Sequence, residues 1–127
     1  MHKKKGLVFD NQNYISKLLK NKFHEQIPFD PYKKFKYFDK SLKEYSIVVF
    51  VIYSQDEILN LMKVYNKKIP LIICSFNKQT LRNLRKIDNI MLVDASKILP
   101  EIIKQLKLYF SHLNILDEKK SQHISKF

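Results

Sequence analysis

Apolar residues run without a break from Ile47 to Ile52 (Ile-Val-Val-Phe-Val-Ile), every one β-branched or aromatic. A strand with one wet face would alternate, so this run predicts a strand covered on both sides, the character of a central strand in a parallel sheet. The polar stretch Ser54-Gln55-Asp56-Glu57 ends it, and the period then changes from two to three and four. Ser54 and Glu57 have the spacing of a capping box, in which the hydroxyl accepts from the third helical N–H while the carboxylate reaches back. Ile58, Leu61, Met62 and Tyr65 form the inward stripe of the helix that follows, and Asn66-Lys67-Lys68 ends it.

The same alternation of elements recurs along the chain. Gly6 to Asp10 predicts a first buried strand ending on a carboxylate, and Asn11 to Asn13 supply turn and N-cap chemistry for a helix whose stripe is Tyr14, Ile15, Leu18, Leu19 and Phe23. Residues 26–29 could form a short strand, which Pro28 would confine to an edge. Asp30 as cap and Pro31 at the first helical position predict a second helix with Tyr32, Phe35, Phe38, Leu42 and Tyr45 on one side. The competing reading places the second strand at 35–38 and starts a short helix at Lys40. Ile69 to Phe76 is another continuous apolar strand, tolerant of Pro70 at its start. Asn77 caps a helix with Leu81, Leu84 and Ile87 inward and Lys78, Arg82, Arg85 and Lys86 outward. Asn89 to Val93 is a further such strand, ending on Asp94. Pro100 and Glu101 open a last helix with Ile102, Ile103, Leu106, Tyr109, Phe110 and Leu113 inward.

Parallel strands need crossovers, and helical crossovers on both faces explain why the strands are apolar throughout. The expected fold is an α/β class, three-layer α/β/α sandwich with a five-stranded, mostly parallel, doubly wound sheet. A single domain spans residues 1–116, with a polar tail over 117–127. In such sheets ligands bind outside the carboxyl ends of the strands, where strand order reverses.

Charge changes the picture next. Lys and Arg number 24 against 12 Asp and Glu, a formal net charge of +12, which invites binding to nucleic acid or another polyanion through counterion release. Only Arg82 and Arg85 are arginine, however, and planar bidentate recognition of phosphate or guanine favours that residue. The excess is read first as a solvated surface, with nonspecific nucleic-acid binding as the alternative. Chemistry is constrained more tightly. Gly6 is the only glycine, so no glycine-rich phosphate loop can form and dinucleotide and P-loop functions are excluded. His2, His24, His112 and His123 lack metal-ligand spacing. Cys74, the one cysteine, lies in an apolar run and reads as a small buried hydrophobe. Ser41, Ser54, Ser75 and Ser96 show no nucleophile elbow. The chain is therefore expected to be no enzyme and to need no metal or cofactor. No run approaches membrane-spanning length, so no membrane is expected and a soluble cytoplasmic protein is.

The βα order repeated five times, the first strand ending Phe9-Asp10-Asn11, and the fourth strand Ile69-Pro70-Leu71-Ile72-Ile73-Cys74-Ser75 together resemble the receiver domain of bacterial two-component response regulators. The resemblance covers roughly residues 6 to 113. It implies acidic residues after the first strand, a phosphate-accepting aspartate at the end of the third, a hydroxyl at the end of the fourth and a lysine at the end of the fifth. Asp10 matches an acidic position and Ser75 the hydroxyl. Asn11 stands where a second carboxylate is expected, Val51 at the acceptor, Asp94 at the lysine, and Met91 at the aromatic switch position. Aspartyl-phosphate chemistry needs a carboxylate nucleophile, a magnesium ion held by carboxylates and a nearby cation. The pocket formed by Asp10, Asn11, Val51, Ser75 and Asp94 is thus a degenerate phosphorylation site. A register slip would bring Ser54 or Asp56 to the strand end, but Asp56 belongs to a first helical turn, where the dipole favours an anion.

The resemblance also implies a partner surface on the fourth helix, fifth strand and fifth helix, a homodimer included. Lys78, Arg82, Arg85 and Lys86, extended by Lys104 and Lys107, are its candidates. The expected function is a non-phosphorylatable receiver-like domain that signals by association with a protein partner. Asp10 and Asp94 have two readings, a small polar pocket at the strand ends or two carboxylates capping the helices that follow them.

Overall fold

The computed structural model describes residues 5–32, 45–64 and 69–113. Their order is β1 (Gly6–Phe9), α1 (Tyr14–Phe23), β2 (Phe29–Tyr32), β3 (Ile47–Ile52), α2 (Asp56–Val64), β4 (Leu71–Ser75), α3 (Lys78–Leu84), β5 (Ile90–Asp94) and α4 (Leu99–His112). All strand pairs are parallel, in the order β2-β1-β3-β4-β5. The uninterrupted apolar run is the middle strand, and all six of its residues are buried. Among the described residues, no helix is long and apolar enough to cross a membrane.

Period-two alternation sends the strands' side chains to two cores. Val8, Ile47, Val49, Val51, Ile72, Cys74 and Val93 pack with Ile15, Leu19 and Phe23 of α1 and with Ile102, Leu106 and Phe110 of α4. Leu7, Phe9, Val48, Phe50, Ile52 and Ile73 pack on the other side with Leu61 of α2 and Leu84 of α3. The result is a three-layer α/β sandwich of flavodoxin-like topology. Phe9 and Phe50 are register partners and stack at 4.7 Å between centroids, 9° from parallel, a contact worth about 0.5–1.5 kcal/mol beyond its buried area.

The edge beside β1 departs from the sequence reading. Asp30 and Pro31 do not open a helix; they lie inside β2, which takes the place next to β1 expected for 26–29 or 35–38. Gly6 N–H donates to the Pro28 carbonyl at 2.9 Å, and the parallel ladder then turns the backbone groups of Asp30 and Tyr32 toward β1 and those of Phe29 and Pro31 away. The missing N–H of Pro31 is therefore on the open side of an edge strand, where it breaks no ladder bond. Asp30 accepts from the Tyr45 hydroxyl at 2.7 Å. Its carboxylate also lies 4.0 Å from Lys5 Nζ. The predicted stripe through Phe35, Phe38 and Leu42, the alternative strand at 35–38, the helix end at 65–68 and the tail at 117–127 fall outside the described residues.

Candidate functional site

Strand order reverses between β1 and β3, so the crevice of interest opens where Phe9 gives way to Asp10 and Ile52 to Tyr53. Asp10 is only 2% exposed, and both oxygens of its carboxylate are hydrogen-bonded. Oδ2 accepts from Ser16 N–H at 2.9 Å, and Oδ1 accepts from Gln12 N–H at 3.1 Å and from the Tyr53 hydroxyl at 2.5 Å. Ser16 is the third residue of α1, so Asp10 performs the capping expected of the asparagines. Asn13 stands at the N-cap with φ 61° and makes no side-chain cap bond; asparagine tolerates that left-handed backbone better than most residues.

Tyr53 reaches Asp10 by strand parity. It continues the face of Ile47, Val49 and Val51, and Asp10 continues the face of Val8. Burial, followed by the hydrogen bond to Asp10 and that residue's charge, pushes the Tyr53 phenol well above its ordinary range. Its ring stacks on Phe76 at 5.3 Å, and Phe76 meets Tyr14 at 5.7 Å. A row of three rings thus covers the strand ends from β3 across β4 to the start of α1.

Glu57 closes the other side. It is 7% exposed and accepts from Tyr53 N–H at 2.6 Å, Ser54 N–H at 3.0 Å and Asn11 Nδ2 at 2.6 Å. The bond to Ser54 N–H is the reach-back half of the expected capping box. The bond to Asn11 ties the loop after β1 to the start of α2. Asp56 is exposed in the first turn of that helix.

Of the residues named from sequence, Val51 is wholly buried in the core and is paired with Cys74. Ser75 is 1% exposed, and its hydroxyl accepts from Asn77 N–H at 3.1 Å, fixing the turn into α3. Asn77 in turn accepts from Gln79 N–H and Thr80 N–H, as an N-cap does. Asp94 accepts from Ser96 N–H at 2.9 Å and from the Ser96 hydroxyl at 2.5 Å, holding a turn before α4. Partial burial opposes its charge, but the Ser96 bonds and the nearby Lys78 and Lys97 outweigh that and hold the carboxyl below the ordinary range. Asp10 and Asp94 are separated by β3 and β4, three strand spacings or about 14 Å. They share no pocket, and each organises its own loop. Met91 is half-buried on β5 against the α1 and α4 core.

Burial, and then the charge of Asp10, push the Cys74 thiol above its ordinary range, which keeps it protonated and a poor nucleophile. Among the described residues no group of three His, Cys, Asp or Glu side chains is placed to hold a metal. The three donors on Asp10 leave it ill suited to supply a ligand.

A separate groove of about 740 Å³ follows β5 between α3 and α4. Its floor includes Leu84, Ile87, Ile90 and Leu92, and Lys78, Arg82, Arg85 and Lys97 stand along it with Asp94 and Glu101. Ala95 N–H donates to the Ser75 carbonyl, so Leu92 turns its backbone outward, where its carbonyl accepts from the Tyr109 hydroxyl at 2.7 Å. Lys86, Lys104 and Lys107 are exposed outside this lining. Sequence reading had not joined Tyr53, Phe76 and Glu57 to Asp10. Extending the two-residue period of β3 by one step to Tyr53 is the signal that would have done so.

The chain matches no protein-family model, no curated protein and no solved structure.

Proposed function

We propose that the chain is a receiver-like association module without phosphoryl-transfer chemistry, acting through the groove between α3, β5 and α4. The observation that carries this reading is the closure of Asp10. Its carboxylate is spent on two backbone N–H groups and the Tyr53 hydroxyl. Val51, at the acceptor position of the resemblance, contributes an alkyl group to the core. Among the described residues, the acceptor position then offers no nucleophile and Asp10 no free carboxylate pair for a metal, and a binding surface is the way left for the domain to act.

The groove supports the association half of the proposal. It combines an apolar floor with cationic walls, the composition of a contact centre whose charges choose the partner. The test is charge reversal at Arg82 and Arg85, both exposed on α3. Arg82→Glu with Arg85→Glu should abolish self-association in sedimentation, or capture of a protein partner, while the circular dichroism spectrum stays unchanged. Unaltered association would remove the groove from the proposal.

A further inference from the structure

A second hollow, of about 380 Å³, lies between α1 and the start of α4, away from the β5 groove. We infer that it holds a nucleotide unit, with the base against the Tyr14 ring and the phosphate on Lys17. Tyr14, Lys17, Leu18, Asn21 and Lys22 of α1 all line the hollow; on the helix Lys17 and Asn21 fall to one side of Tyr14, and Leu18 and Lys22 to the other. Gln12 and Asn13 form its near end, and Leu99 of α4 its far wall.

Three properties select the ligand. The first is charge: among the described residues no carboxylate lines the hollow, and α1 carries three lysines and no acidic residue. The second is the ring. Tyr14 is 45% exposed, yet it is braced by Phe76, itself stacked on Tyr53. A half-exposed ring held by other rings is a stacking platform, and stacking on such a platform is indifferent to base identity. The third is the set of side-chain amides on Gln12, Asn13 and Asn21, which offer both donors and acceptors to a base edge. A simple polyanion needs only the first property; a nucleotide uses all three.

The phosphate contact does not depend on a glycine-rich loop or on the helix N-terminus. Asp10 already occupies the Ser16 N–H at that end of α1, which leaves the task to the ammonium groups. Lys17 is three residues from Tyr14, about 4.5 Å along the axis, and Lys22 is eight residues away, about 12 Å. Lys17 therefore serves the phosphate of the stacked nucleotide, and Lys22 serves the next phosphate if the nucleotide belongs to a single strand.

Titrations of the full chain with adenosine monophosphate, a short oligouridylate and heparin at low salt test this, with folding of each variant checked by circular dichroism. Tyr14→Ala should weaken both nucleotide probes about tenfold, Tyr14→Phe should retain binding, and heparin should be indifferent to either. Lys17→Glu should weaken both nucleotide probes. A loss confined to the oligouridylate in Lys22→Glu identifies a strand as the ligand, whereas unchanged affinity of that variant for both probes identifies a free nucleotide. The inference is overturned if neither nucleotide probe binds, or if Tyr14→Ala leaves their affinity unchanged or weakens heparin equally, since binding would then rest on charge alone.

Discussion

The Tyr53 hydroxyl donates to Asp10 Oδ1 at 2.5 Å, joining the first residue after β3 to the first residue after β1. Both residues project on the α1 and α4 side of the sheet, because each continues the alternation of the strand before it. The bond places a phenol over a buried carboxylate at the point where strand order reverses, and it also sets the ring that Phe76 stacks on.

Removing that hydroxyl should be felt in stability and in its pH dependence. Tyr53→Phe should lower the unfolding free energy by about 1 kcal/mol near neutral pH, since Asp10 keeps its two backbone donors and Tyr53 is only partly buried. The folded phenol is held above its ordinary value of 10.0. Its contribution is therefore complete below that pH and is lost as pH rises, because the unfolded chain releases the proton first. Urea unfolding of the native chain should weaken more steeply on the alkaline side than that of Tyr53→Phe. Parallel slopes would contradict the assignment.

Incubation with a small phosphodonor and magnesium, followed by intact-mass measurement, should give no phosphoryl adduct. Restoring an acid by Val51→Asp should not restore the chemistry. The side chain enters the core at 0% exposure, and an unpaired carboxylate there should destabilise the fold by several kcal/mol. A phosphorylated, folded Val51→Asp protein would contradict the reading of the site as chemically silent.

Glu57 holds two backbone N–H groups and the Asn11 amide together. Glu57→Ala should cost about 1–2 kcal/mol in chemical denaturation, as it strips the reach-back cap from α2 and removes the acceptor of the partly buried Tyr53 N–H. Glu57→Gln retains an acceptor oxygen and should recover at least half of that loss. Equal losses in the two variants would assign the effect to charge alone.

A Cβ on Gly6 would stand 2.2 Å from Phe29 Cε1, so the aromatic ring of β2 rests on the bare backbone of β1. Gly6→Ala should destabilise by about 1–3 kcal/mol through overpacking. Combined with Phe29→Ala, which removes the obstructing ring, the added methyl at position 6 should cost far less than it does alone. Additive losses in this double-mutant cycle would refute the steric account.

The chain's own pattern determined the central elements. Six contiguous apolar residues could only be covered on both faces, which made β3 a middle strand. The change of period after Ser54 marked α2, and Asn77 marked the start of α3 as its cap. Local signals misled at Asp30-Pro31, because a cap residue and a proline open a helix or stiffen an edge strand equally well. Pairing with β1 decided between them by turning the missing N–H of Pro31 outward. Likewise the residues at the strand ends could be named from the sequence but not connected. Asp10 and Tyr53 are 43 positions apart, and only the parallel register of β1 with β3 brings them together. Hydrophobic periodicity specifies which face of an element is buried; which loops then meet is set by strand order, a property of the assembled sheet.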